Sequence, residues 1–310
     1  MAILPQKKGV RWLALIGYVL FAMVTFVAAL VVTFPMERLA KQAADLVSSR
    51  SDWKVAVAGA GWAPPTGLRL NQIVATPPQG GPLMVEDVLL RLYPKRLKQG
   101  KLALDHELGI YGGLFTGHLV VQGPKTEPGY EWKGAISGAK LDRVPLPPPG
   151  VPPAPWSEGL ALAGLISADG AMGWRGGQVL RGNGELNIQL ADLVIELAKT
   201  PIGALTLPIG QVDGRFKWQR GRVDVTDLRI QGDLVQARGS GRLIVGNSPR
   251  NTRIDLRLTG DLGDQFPMAE VLGPLLKTGG KPVTITLKGT VAAPVLYING
   301  KTLDRLMLGR

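Results

Sequence analysis

The chain has 310 residues with no Cys and two His, which excludes a disulfide scaffold, cysteine-ligated zinc, iron–sulfur clusters, a cysteine nucleophile and a His-rich metal site. Charged residues make up 19%, below the roughly 25% of an ordinary soluble domain, so a membrane-embedded or otherwise buried part is expected. The net charge of +12 is scattered among 41 Gly and 24 Pro without a long Lys/Arg run, which argues for a mildly basic solvated surface and against a nucleic-acid partner.

Residues 1–11 carry Lys7, Lys8 and Arg11 and form a cytoplasmic N-terminus by the positive-inside rule. Residues 12–36 are expected to be a single transmembrane helix. From Trp12 to Phe34 no residue is charged, and about 20 apolar residues suffice to span a bilayer. A cleaved signal peptide is the competing reading. Its apolar region runs about 7–15 residues and ends at a small-x-small site, whereas this run is longer and Thr25–Leu30 offers no such site. An uncleaved anchor with an exported body follows.

Residues 37–51 read as a short amphipathic helix. Leu39, Ala43, Leu46 and Val47 recur at helical spacing, with Glu37, Lys41, Gln42, Asp45 and Ser49 between them. Two seats are open to its apolar side: the lipid surface or the sheet that follows.

From residue 52 the dominant period is two. A first β lobe over 52–143 contains candidate strands Lys54–Ala58, Leu68–Ala75, Val85–Tyr93, Leu102–Ile110, Gly117–Gln122 and Tyr130–Ile136. A proline-rich linker at 144–157 follows, with seven prolines among the 13 residues Val144–Trp156. Such a stretch is stiff and cannot enter a sheet interior, so it reads as a spacer. The second β lobe, 158–310, contains Arg215–Trp218, Arg222–Val225, Leu228–Ile230, Gly241–Val245, Arg253–Thr259 and Val283–Val291. In the last of these Val283, Ile285 and Leu287 alternate with Thr284, Thr286 and Lys288, the pattern of a strand with one buried and one wet face. A second short helix is expected over Asp264–Leu276, limited by Pro267 and Pro274. A loose recurrence links Gly170, Trp174, Gly177 and Gly182–Leu186 to Gly214, Trp218, Gly221 and Gly239–Leu243, which implies successive hairpins extending one sheet.

Chemistry-bearing motifs are missing. There is no phosphate-binding G-x-x-x-x-G-K-[ST], no G-x-S-x-G and no complete G-x-G-x-x-G. His106 and His118 flank Tyr111-Gly112-Gly113 and could face each other across a hairpin, but two ligands make no metal site. Glu86 and Asp87 are adjacent on a strand and point to opposite faces. No catalytic, cofactor-binding or metal-binding residue is therefore assigned, and no enzyme activity is expected.

The order of several patterns resembles the type II secretion system protein N family in its deltaproteobacterial form. These patterns are the Thr33-Phe34-Pro35 exit into a short helix, Gly67–Leu70, Val85–Val88 and Leu90–Leu92. Leu97–Leu104 around Gly100-Lys101, followed by Tyr111-Gly112-Gly113, is the most specific of them. Gly184–Leu186, Gly221–Val223, Leu228–Gly232 and Gly289–Pro294 continue the series, and the last also looks like AsmA-type proteins. The proline-rich stretch 145–155 and Leu296–Arg310 lie outside the resemblance. The resemblance implies a bacterial inner-membrane, single-pass protein with a periplasmic body. The fold it implies is mainly β: a transmembrane helix, then an elongated, curved antiparallel β-sheet with one or two short helices. It also implies a structural role in type II secretion through contact with the inner-membrane platform or the secretin. The alternative is an AsmA-like protein that binds or transfers lipid in an apolar β groove.

Overall fold

The computed structural model describes residues 35–64, 66–78, 81–94, 99–124, 126–144, 159–200, 203–246, 251–262, 282–291 and 293–302, together with Tyr18, Phe21, Ala22 and Thr25. The N-terminus expected to be cytoplasmic, almost all of the expected span 12–36, the proline-rich residues 145–157 and the helix expected over 264–276 lie outside the described residues. Among the described residues no helix is long and apolar enough to cross a membrane.

Helix α1 (Met36–Arg50) starts directly after Pro35, with the Leu39 N–H donating to the Pro35 carbonyl at 3.2 Å. Its end is closed by Ser51, whose N–H and hydroxyl both donate to the Val47 carbonyl, at 3.0 and 2.8 Å. The side that docks on the sheet is not the apolar one. Ala44 is buried, Ala40 and Ser48 are half-buried, and the Val55 N–H donates to Ser48 Oγ at 2.9 Å. Leu39, Ala43, Leu46 and Val47 are exposed. Small residues let the helix approach β1 closely, and a hydroxyl ties it there.

The rest is mainly β. Fifteen strands form one long, curved antiparallel sheet in which every strand pairs with its sequence neighbours. They are β1 (Lys54–Ala63), β2 (Gly67–Thr76), β3 (Leu83–Leu92), β4 (Lys101–Ile110), β5 (Gly113–Gln122), β6 (Gly129–Lys140), β7 (Leu160–Arg175) and β8 (Asn183–Thr200). They continue as β9 (Gly203–Gln219), β10 (Arg222–Gln231), β11 (Val235–Ile244), β12 (Arg253–Leu262), β13 (Val283–Thr290), β14 (Ala293–Ile298) and β15 (Lys301–Thr302). Several of these consecutive pairings follow from tight turns. At the β4–β5 turn Tyr111 and Gly112 both take positive φ, 52° and 75°, as a two-residue hairpin with the right-handed twist of its strands requires.

The sheet does not divide where the prolines do. β6 and β7 flank the proline-rich stretch, yet they pair from Gly129↔Arg175 to Lys140↔Leu165. The two runs of strands read from the sequence are therefore continuous in hydrogen bonding.

Burial follows the period of two, but in a muted form. Along β11 and the described part of β12, each residue of one face is half-buried and each residue of the other is exposed. On β13 Val283 is buried, whereas Ile285 and Leu287 are only half-buried and Thr284 and Thr286 are half-buried too. A second layer would close the apolar side, and none packs there among the described residues.

Candidate functional site

The strand registers define one apolar face from end to end. One row runs Leu104, Leu119, Trp132, Met172, Gly184, Trp218 and Val223 across β4 to β10. The next runs His106, Gly117, Gly134, Gly170, Leu186, Phe216 and Val225, then Gly241, Leu256, Leu287 and Leu296 to β14. Toward β1 the face continues through Leu90 and Val88 of β3, Leu68 and Leu70 of β2, and Trp62 and Ala60 of β1. Bulges keep this parity across irregular places. Asp192, with φ 53°, marks the shift in β8 that returns Leu193, Ile195 and Leu197 to alternation, opposite Leu205 and Leu207 of β9.

Glycines form the floor of this face, and larger side chains lie across them. A Cβ at Gly117 would stand 2.5 Å from the His106 ring, one at Gly214 would stand 2.7 Å from the Phe216 ring, and one at Gly134 would meet the Trp132 indole. The same covering recurs with Leu258 over Gly239 and Leu256 over Gly241, at 2.6 and 2.7 Å. Phe115 and Trp132 are nearly parallel, with centroids 5.9 Å apart and planes at 21°. His106 stacks on Trp132 at 6.4 Å and accepts a hydrogen bond from the indole N–H at Nε2, 3.3 Å. Burial among these rings pushes the His106 pKa down, and neighbouring Asp105 opposes this only in part. The imidazole is thus a neutral acceptor on an apolar surface.

The opposite face is a ladder of charge. One row reads Asp105, His118, Lys133, Ala171, Glu185, Lys217, Asp224, Arg242, Asp255 and Lys288, with the sign alternating along most of its length. Ion pairs join Lys217 to Glu185 (3.6 Å), Arg222 to Asp224 (2.6 Å), Arg229 to Asp227 (2.9 Å) and Arg69 to Asp87 (2.5 Å). Exposed pairs of this kind contribute little to stability, but opposite charges on adjacent strands favour the observed register. A shallow trough of about 800 Å³ on this face, over β8 to β10, is lined by groups such as Glu185, Lys217, Asp227 and Arg229 that are already paired with one another.

The two histidines do not share a site. His118 pairs with Asp105 in register and His106 pairs with Gly117, so the rings stand on opposite faces of the same hairpin. His118 Nδ1 lies 2.5 Å from Asp105 Oδ1, and the Tyr93 hydroxyl donates to Asp105 Oδ2 at 2.5 Å. Burial would raise the Asp105 pKa, but the hydrogen bonds from Tyr93 and His118 outweigh it and hold the carboxyl below its usual range. Glu86 and Asp87 are likewise apart. Asp87 pairs with Arg69, while Glu86 falls in the bulge of β3 and reaches Arg143 at 3.8 Å. Among the described residues no group of three His, Asp or Glu side chains could hold a metal ion.

The sequence reading missed the rows themselves. A large apolar residue two positions from a glycine, as in Trp132-x-Gly134 and Gly214-x-Phe216, is the local signal that marks this floor. Comparison with known proteins found no matching family model, no matching curated protein and no matching solved structure.

Proposed function

We propose that the chain is a membrane-tethered, non-enzymatic lipid-binding protein whose apolar β face holds the acyl chains of phospholipids. The observation that carries this reading is the apolar face that runs from β1 to β14, over which no second sheet packs among the described residues and which only the Val179–Arg181 turn touches, through the Leu180 carbonyl that accepts from the Trp218 indole; the face behind it is largely polar. An apolar surface of that extent in water is costly, and soluble monomers rarely expose one. At ~4.8 Å per strand, the thirteen steps from β1 to β14 give a face on the order of 60 Å long. It is long enough for several acyl chains in series. The covered floor suits such an occupant, because rings and leucines laid over glycines make a low apolar surface along which a flexible chain can lie. A bacterial inner-membrane anchor with a periplasmic body, as the apolar N-terminal run and the resemblance imply, would supply the lipid. The type II secretion role rests on the resemblance.

The test places a photocrosslinking residue at Leu256 or Leu258, and separately at Arg257 or Thr259, in the membrane-bound chain. Phospholipid adducts at 256 and 258 and none at 257 and 259 are expected. Crosslinks at 256 and 258 only to protein, within the chain or to a secretion component, would replace the lipid reading with the scaffold one.

A further inference from the structure

Helix α1 presents an apolar stripe that the sheet does not use. Leu39, Leu46 and Val47 are 45, 51 and 49% exposed, whereas Ala44, on the docked side, is 6% exposed. At 100° per residue the stripe is centred roughly a third of a turn from the Ala40, Ala44 and Ser48 side that meets β1. Docking therefore fixes the direction in which the stripe faces. The polar residues Arg38, Gln42 and Asp45 occupy the next sector round, so the stripe is bounded on both sides.

What lies next to this stripe is set by the chain itself. The charge-free apolar run from Trp12 ends at Phe34, two residues before the helix begins. Wherever that run crosses or enters a bilayer, the first turn of α1 stands at its surface. A 15-residue helix held there is ~22 Å long, which keeps its whole stripe within reach of the headgroup–acyl boundary.

We propose that α1 lies in the membrane interface with Leu39, Leu46 and Val47 inserted among the lipids, and that it thereby seats the edge strand β1 against the bilayer. One side of the helix grips the sheet through Ala44 and the Ser48–Val55 hydrogen bond, and the adjacent side grips the lipid. The helix is then a rigid bracket, not a flexible neck. This inference rests on the apolar N-terminal run and is independent of what the sheet binds. If the sheet holds acyl chains, the bracket places Trp62 and Leu68, at the β1 end of the apolar face, next to the lipid source.

The chain has no cysteine, so single-cysteine variants can be labelled without background. The full chain would carry Leu46→Cys or Val47→Cys on the stripe, and Gln42→Cys or Asp45→Cys beside it. All four positions are exposed and the label does not enter a packed core. Each is labelled with an environment-sensitive nitrobenzoxadiazole and reconstituted into phosphatidylethanolamine–phosphatidylglycerol vesicles. Quenching by a nitroxide near the top of the acyl chain is then compared with quenching by aqueous iodide. Labels at 46 and 47 should be blue-shifted and quenched several-fold more by the lipid nitroxide, and labels at 42 and 45 more by iodide. Equal iodide access at all four positions overturns the proposal. So does protection at 46 and 47 from both quenchers, which would mean that protein, a second copy or a partner, covers the stripe. The crosslinks at 256 and 258 are read separately, so failure here leaves the lipid reading of the sheet to stand or fall by its own test.

Discussion

The glycine floor of the apolar face makes a quantitative demand. A Cβ placed on Gly134 would meet the Trp132 indole and stand 2.8 Å from the Thr116 carbonyl oxygen, closer than real Cβ atoms come. The indole can swing aside, but at the cost of its stack on Phe115 and its hydrogen bond to His106. The carbonyl belongs to the neighbouring strand and moves only with the backbone. Gly134→Ala should therefore destabilise the chain by ~1–3 kcal/mol, as overpacking does. Gly61→Ala is the control. It has nothing within 4 Å and no positive φ, so it should be neutral or stabilising by up to ~1 kcal/mol through the unfolded state. Trp132→Ala removes the ring part of the clash and leaves the carbonyl part. The double substitution should thus cost less than the sum of the singles, by ~0.5–1.5 kcal/mol. Urea unfolding followed by far-ultraviolet circular dichroism reads all four corners without relying on the indole signal. A Gly134→Ala variant as stable as Gly61→Ala, or strictly additive singles, would show that the ring does not lie on the glycine and that the floor is not built this way.

Two further outcomes follow from the same face and from the strand order. The pKa of His106 is depressed in the folded chain, chiefly by burial, while the unfolded imidazole titrates near its ordinary ~6.5. The unfolded state therefore binds more protons as pH falls below about 6.5, and stability should decline from there and level off below the depressed folded value. His106→Gln should flatten that part of a pH–stability curve, and an unchanged slope would place the titration elsewhere. Limited proteolysis should cut within the proline-rich residues 145–157 while leaving the two fragments together on a sizing column, because β6 and β7 stay paired from Gly129↔Arg175 to Lys140↔Leu165. Fragments that separate without denaturant would contradict that ladder.

The strands legible in the sequence were those whose alternation is chemical as well as geometric. Arg253–Thr259 and Val283–Val291 announce themselves because charged or hydroxyl residues occupy one parity and aliphatics the other. β7 was read only at its Gly170–Trp174 end because the rest of its segment, LALAGLISADGAMGWR, is rich in Ala and Gly, which carry little hydropathy contrast. β8 was missed beyond Leu186 because the irregularity at Asp192 reverses the parity halfway, so no single period fits Asn183–Thr200. The apolar spacing of α1 was visible, but not its seat. Hydropathy ranks Leu39 and Leu46 above Ala44 and Ser48, whereas close approach to a strand favours the small residues. The separation of His106 from His118 was decided by register. Positions 12 apart share a face only if the turn between them keeps parity, and the two-residue turn at Tyr111-Gly112 does not.

A sheet in which every strand touches only its neighbours has a consequence for how its apolar face can be used. Without crossovers, no described strand returns to cover another, so the face grows with each added hairpin and its width stays fixed by strand length. The two ends of that face are not equivalent. At β1 the edge is held by α1 through the Ser48–Val55 hydrogen bond, while at the other end the described residues pair β14 to β15 at Tyr297↔Thr302 and Ile298↔Lys301. One end is thus held by a helix, and at the other the described pairing ends at Thr302. An acyl chain on such a face meets no polar row between the two ends, since each register step from Leu90 of β3 to Leu296 of β14 replaces one apolar or glycine floor position with another, apart from the neutral imidazole of His106. On the proposed lipid reading, movement along this row would need no desolvation of charge. A protonated imidazole at His106 would then put a charge in the path of the chain, which the depressed pKa of that group disfavours.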